Sequence, residues 1–228
     1  MNKHISEQYD IELSQIKELL MEMGGLVEQQ VTQACASLIA HDTQLAEQVQ
    51  DTETRLNQFE VELDDQCVSI IARRQPTAGD LRIVVSVMKA ITDLERIGDE
   101  ADRIAKMALS LARTELPSDR YADFRTMSEK VSRMLTRALD AFARLDIESA
   151  LRVIQADEEI DTSYNAFVRH SIGAMRDKPD EIENSINVIW AARALERIGD
   201  HAKNISEYVI YQVKGLDVRH SGNPDIDD

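Results

Sequence analysis

The sequence predicts an all-α protein made of two tandem three-helix bundles, six long helices in all. Three observations carry this. Glycine and proline together supply only 12 of 228 residues, about 5% where roughly 12% is usual, which leaves little room for turns. Aromatic residues are 4% of the chain, while Ala, Leu, Ile, Glu, Gln and Arg recur, a composition that suits helix over strand. Finally, Leu94-Glu95-Arg96-Ile97-Gly98-Asp99 returns as Leu195-Glu196-Arg197-Ile198-Gly199-Asp200, so the chain contains an internal repeat.

The elements follow in order. Leu13, Ile16, Leu20, Met23, Val27, Val31, Ala34 and Leu38 step by three and four and form one apolar helical stripe. Asp42 is an N-cap for a second helix carrying Leu45, Val49, Leu56, Leu63, Val68 and Ile71. That helix stops near Arg74, because Pro76 disfavours a helical Gln75. Thr77 and Asp80 resemble a capping box opening a third helix through Leu81, Val84, Val87, Ile91, Leu94, Ile97, Ala101 and Ile104. It is expected to end near Pro117 and Ser118. Upstream of the doubled motif, an offset of 104 pairs Val27 with Val131, Val31 with Leu135, Asp42 with Asp146, Val49 with Val153 and Leu56 with Ile160. The units are therefore 1–115 and 116–216. Gly215 closes the last helix, and 217–228 is expected to be a disordered tail.

Charge and composition exclude several classes. The formal net charge of −16 repels nucleic-acid phosphates and anionic leaflets, leaving cations and basic protein surfaces as partners. No run of apolar residues is long enough to cross a membrane. The first residues have no apolar core of a secretion signal, so a cytoplasmic protein with reduced Cys35 and Cys67 is expected. Hydrophobic residues at 43%, periodically placed, argue against disorder.

The candidate site is a set of carboxylates. Glu95 and Asp99 project from one helix face, Asp102 extends the row, and Glu196 and Asp200 repeat the pair. Folding the second helix back on the third near residues 75–76 levels Asn57 with residue 94 and Glu53 with residue 98. In the second unit the same construction levels Asp161 with 194 and Asp157 with 198. Each hairpin then gathers hard oxygen donors on facing helices, which suits Mg, Mn, Ca or Fe, with Zn also to be considered and multinuclear binding within reach. Lys203 takes the position of Asp102 in the second unit. A lone Glu-x-x-x-Asp often marks only a solvated face, and Arg96 and Arg197 could neutralise these acids. Duplication and level partners favour a metal site. Mid-helix Gly98 and Gly199 cost about 1 kcal/mol each against Ala, consistent with close helix approach or ligand access.

Other residues point to structure. His4, His41, His170 and His220 are isolated, His201 lies about 100° around the helix from Asp200, both cysteines fall at apolar positions, and Trp190 is expected in the core. There is no phosphate-binding glycine loop, nucleophile elbow or zinc-spaced cysteine pair.

The doubled Leu-Glu-Arg-Ile-Gly-Asp, the segment Ala72–Pro76 and Met23-Gly24-Gly25 resemble the PhoU family of phosphate-transport accessory proteins, over about residues 5–216. The resemblance implies two three-helix bundles related by a pseudo-twofold axis, a homodimer, and metal clusters held by acidic pairs matching Glu95/Asp99, Glu196/Asp200 and Asp157/Asp161. Glu53/Asn57 departs from that pattern. The implied function is non-enzymatic: restraint of phosphate uptake and of phosphate-starvation signalling. The implied partners are the ATPase subunit of the phosphate ABC transporter and a sensor histidine kinase, with the membrane reached only through them. A carboxylate-bridged metalloenzyme and a purely structural helical dimer are the alternatives.

Overall fold

The computed structural model describes residues 2–112 and 121–218, with side chains from residue 7 onward. Among them are six α-helices, one 3-10 turn and no strand. The helices are α1 (Asn2–Ala40), α2 (Thr43–Arg74), α3 (Ala78–Leu111), α4 (Ala122–Arg144), α5 (Ile147–Asp177) and α6 (Ile182–Lys214), with the 3-10 turn at Pro179–Glu181. The boundary at 115/116, the helix end near Pro117 and Ser118, His220 and residues 219–228 lie outside the described residues, as does the side chain of His4.

The repeat is visible at the turns. Asp42 (φ −89°, ψ 98°) caps α2 by accepting from Leu45 N, and Asp146 (φ −88°, ψ 97°) caps α5 by accepting from Ser149 N. The residue before each, His41 or Leu145, takes the left-handed conformation at φ 55° and 54°. α2 ends at Arg74 with Gln75 left-handed ahead of Pro76, and α6 ends on Gly215 at φ 76°. Thr77 does occupy the N-cap of α3, but its hydroxyl makes no capping bond, so the expected capping box does not form.

The apolar stripes converge on one core. Ile16, Leu20, Met23, Leu56, Leu63, Ile91, Leu94 and Ile97 are almost wholly buried. Within each repeat three helices pack together, and α3 of the first repeat lies along α6 of the second. α1 also crosses α4: a Cβ on Gly24 would come within 3.0 Å of Leu139 Cδ2. Cys35 and Cys67 are buried, and burial pushes both thiols up to about 12. Three expectations fail: Val68 is 54% exposed and Leu81 38% exposed, and Trp190, expected in the core, is 62% exposed. Trp190 stands in line with Ile186 and Ile182, one and two turns earlier, on the outer face of α6. No described helix is long and apolar enough to cross a membrane.

Candidate functional site

The acids gather at the two hairpins, α2–α3 and α5–α6. A Cβ on Gly98 would lie 3.2 Å from Glu53 Oε2, and one on Gly199 would lie 3.9 Å from Asp157 Oδ1. The levels expected for Glu53 and Asp157 are therefore met. The two glycines differ in need. At Gly98 a Cβ would overlap Leu56 Cδ2 at 2.2 Å, whereas at Gly199 the nearest atom, Ile160 Cγ2, is at 3.5 Å. Only the first hairpin requires glycine for its approach.

In the first hairpin Glu53 Oε2 accepts from Gln30 Nε2 at 2.9 Å, and Gln30 also donates to Val49 O. Glu53 Oε1 and Gln30 Oε1 are buried without partners. Burial raises the Glu53 carboxyl above its ordinary range in spite of Gln30, and Asp99 and Asp102 push it further. Glu95 is raised first by burial and then by Asp99. Two cations enter: Arg96 pairs with Glu95 at 3.4 Å and Asp99 at 3.3 Å, and Lys106 with Asp102 at 2.5 Å. Asn57 is exposed one turn beyond Glu53. Glu60, which sequence reasoning passed over, also acts on Glu95; its signal was the seven-residue step from Glu53.

The second hairpin repeats the theme with different cations. Lys203 Nζ donates to Asp157 Oδ2 at 2.7 Å, and Arg193 pairs with Glu196. Glu196 is buried and its Oε2 has no partner. Its carboxyl is raised by burial and then by Asp200, with Asp161 and Asp157 adding to the shift. Asp200, at the open rim with Asp161, is raised by partial desolvation and then by Asp157 and Asp161.

The structure thus brings Asp99 and Asp102 within electrostatic reach of Glu53, and Asp99 and Glu53 within reach of Glu95. In the second hairpin Asp157, Asp161 and Asp200 act on Glu196, and Asp157 and Asp161 on Asp200. Among the described residues, however, no group of three or more His, Cys, Asp or Glu side chains is arranged to hold a metal ion. Lysine and arginine partners take up several of the carboxylate oxygens instead. The donor chemistry still fits a hard cation, because each hairpin carries a glutamate with one buried, unpartnered oxygen.

A second polar assembly went unread in the sequence. Asp93, buried on α3, accepts from His201 Nδ1 (2.6 Å), Asn204 Nδ2 (3.0 Å) and Tyr208 Oη (2.6 Å), all on α6. One heptad on, buried Glu100 meets Arg197 at 2.6 Å and Arg103 at 3.2 Å. Lys89 lies over the rings of Tyr208 and Tyr211. Arg197, which could have neutralised the acids of its own hairpin, thus serves the seam between repeats. The signal was the seven-residue spacing of Ser86, Asp93 and Glu100 beside the apolar stripe of α3. His170 pairs with Asp123, and His41 stacks edge-on against Tyr121.

Comparison with known proteins gives the same picture along the whole chain. The PhoU domain model matches residues 20–108 and again 124–209. A Pseudomonas putida protein named phosphate-specific transport system accessory protein PhoU homolog is 47% identical over 97% of this chain and 87% of its own length. The Escherichia coli (strain K12) accessory protein PhoU is 40% identical over 100% of this chain and 94% of its own. The crystal structure of PhoU from Pseudomonas aeruginosa superposes with a TM-score of 0.89 at 45% identity, covering 91% of this chain and all of that one. The Streptococcus pneumoniae phosphate transport system regulatory protein PhoU follows at 0.85 and 30% identity, covering 92% of this chain and 99% of that one. With the doubled helical unit, the doubled motif and the doubled domain match in register, the chain belongs to the PhoU family.

Proposed function

We propose that this chain is a cytoplasmic, non-enzymatic adaptor that restrains phosphate uptake and phosphate-starvation signalling. It acts as a homodimer that joins the ATPase subunit of a phosphate ABC transporter to a sensor histidine kinase. The observation that carries this is the match of both repeats, over nearly the full chain, to proteins named as accessory to phosphate-specific transport. A net charge of −16 suits basic faces on such partners and disfavours nucleic acid. In this reading the membrane is reached only through the partners. The kinase has two states, and the adaptor binds the silent one better.

The two acidic hairpins are the proposed metal sites. Glu53, Glu95, Asp99 and Asp102, with Asn57 at the outer edge, would hold metal in the first. Asp157, Asp161, Glu196 and Asp200 would hold it in the second. Fe, Mn, Mg, Ca and Zn are the candidate ions, and such an ion would supply positive charge to the orphaned glutamate oxygens. The test of the function is deletion of the gene in its host, read with a phosphate-starvation reporter in phosphate-rich medium. The reporter is expected to switch on, and the intact chain to silence it again. A silent reporter in the deletion strain, with no paralogue present, would overturn the reading. Adding back the chain with Asp99→Ala and Asp200→Ala shows whether the hold needs the acidic sites.

A further inference from the structure

The turn between α4 and α5 carries a polar cavity of about 300 Å³, walled by Arg137, Asp140 and Arg144 of α4, by Asp146, and by Ser149 and Arg152 of α5. Three guanidinium groups meet there on a chain with 42 acidic residues and only 26 basic ones. Arg137 also walls the adjoining groove, with Lys130 and Arg133. The cationic stripe from Lys130 to Arg144 therefore runs about 21 Å along α4, at about 1.5 Å per residue.

The first repeat supplies an internal control. The equivalent turn, between α1 and α2, has the same capping aspartate in the same backbone conformation. At the offset of 104, Arg137, Arg144 and Arg152 correspond to Gln33, Ala40 and Gln48, and Asp140 corresponds to Ala36. The fold builds this turn without any of the charges, so folding does not account for them. Nor do ion pairs. Among the described residues, Arg137, Arg144 and Asp140 make no side-chain hydrogen bond or ion pair. Arg152 is held in place by Glu148 (2.5 Å) and Ser149 Oγ (2.9 Å), while Asp146 is taken up by Ser149 N and Oγ. The cavity is thus left with two uncommitted guanidinium groups, a third already oriented, and one uncommitted carboxylate.

That combination has a chemical meaning. Guanidinium forks match the oxygens of a tetrahedral oxyanion. A carboxylate among them repels an oxyanion that has no proton, but accepts a hydrogen bond from one that keeps an O–H. Near neutral pH phosphate keeps a proton and sulfate does not. We propose that this cavity binds the free hydrogen-phosphate ion, with Arg137, Arg144 and Arg152 on its oxygens and Asp140 accepting from its hydroxyl. The argument rests on these charges alone and is independent of the acidic hairpins and of the adaptor role.

The test is calorimetric titration of the intact, chelator-treated protein with sodium phosphate, sodium sulfate and glycerol phosphate at low ionic strength. Removing metal keeps the acidic hairpins from contributing. Phosphate is expected to bind about tenfold or more tighter than sulfate, and Arg137→Gln with Arg144→Gln to weaken it by about tenfold or more. Arg125→Gln, near the other end of α4, is expected to leave binding unchanged, and Asp140→Asn to bring sulfate level with phosphate. Glycerol phosphate, a monoester whose second pKa is about 6 and which near neutral pH has mostly lost its O–H, is expected to bind no better than sulfate; binding as tight as that of phosphate would overturn the assignment. Circular dichroism melts check that each variant is folded. No heat with sodium phosphate, equal binding of phosphate and sulfate, or full binding by the folded double variant would overturn the proposal. Capture of an acidic peptide without any phosphate binding would likewise overturn it, and make the cavity a protein-docking face.

Discussion

Asp93 of the first repeat and Tyr208 of the second share a buried hydrogen bond of 2.6 Å, donated by the phenol Oη to the carboxylate. With His201 and Asn204 it makes Asp93 the acceptor of three bonds that all cross between repeats. The arrangement is one-sided, because the residue aligned with Asp93 at the offset of 101 is Ala194. Tyr208→Phe is expected to cost about 1.5–3 kcal/mol, the net worth of a hydrogen bond to a charged group. Asp93→Ala should cost about 3 kcal/mol or more, because three donors lose their acceptor. Urea denaturation of both variants and of the double mutant measures the coupling, which is expected to be well above zero.

The two hairpin glycines should respond oppositely to the same change. Gly199→Ala adds a methyl group at ordinary contact distance and is expected to stabilise by up to about 1 kcal/mol through helix propensity. Gly98→Ala drives a methyl into fully buried Leu56, and overpacking of about 1–3 kcal/mol should cancel or exceed that gain. Equal midpoints in denaturant for the two variants would contradict the difference in packing.

Glu12 on α1 receives two hydrogen bonds from Arg74 at the end of α2, at 2.9 and 2.7 Å. Arg74 holds its carboxyl below the ordinary value of 4.5. The folded chain therefore releases this proton more readily than the unfolded chain. Its contribution is complete above the unfolded value and is lost as pH falls through the folded one. Thermal melts across the acid range should show Glu12→Gln less stable than the parent at neutral pH, with the gap closing below about pH 4.5.

The acidic hairpins give two linked expectations. In chelated buffer Glu53→Gln and Glu196→Gln should each raise stability, since each removes a charge that burial and neighbouring acids disfavour. In metal-loaded protein Glu95→Ala with Asp99→Ala should lower bound metal in the first hairpin only. Glu196→Ala with Asp200→Ala should do the same in the second. Elemental analysis of parent and variants decides, and undiminished metal in both would remove the hairpins as metal sites.

Periodicity and repetition made much of this legible. The apolar stripes gave the helices, and Asp42 and Asp146 gave two turns. Numbering across the fold-back levelled Glu53 with residue 98 and Asp157 with residue 198, within one residue of the glycines they meet. What stayed hidden depended on which helix lies opposite. Asp93 looks like any polar residue on an amphipathic helix until α6 is laid against α3. Arg197 could serve its own hairpin or the seam, and only packing selects the seam. Trp190 is large and apolar, which argues for burial, yet its place on the outer face of α6 follows from the rotation of the whole helix. Thr77 has the chemistry of a cap, but its side chain does not make the bond. The lysine and arginine partners of the acids were equally hidden, because long cationic side chains can reach several turns of two helices.

The exposed indole has an optical consequence. Trp190 is the chain's only tryptophan and stands mostly in water at 62% exposure in the single chain, so the monomer is expected to emit as a solvated fluorophore. Melting the bundle should shift that spectrum very little, and intrinsic fluorescence would then report a rigid protein as though it were featureless. The same property makes a label-free sensor of one patch. Any molecule that covers the outer face of α6 moves the indole out of water and shifts its emission to shorter wavelength, against an almost silent background.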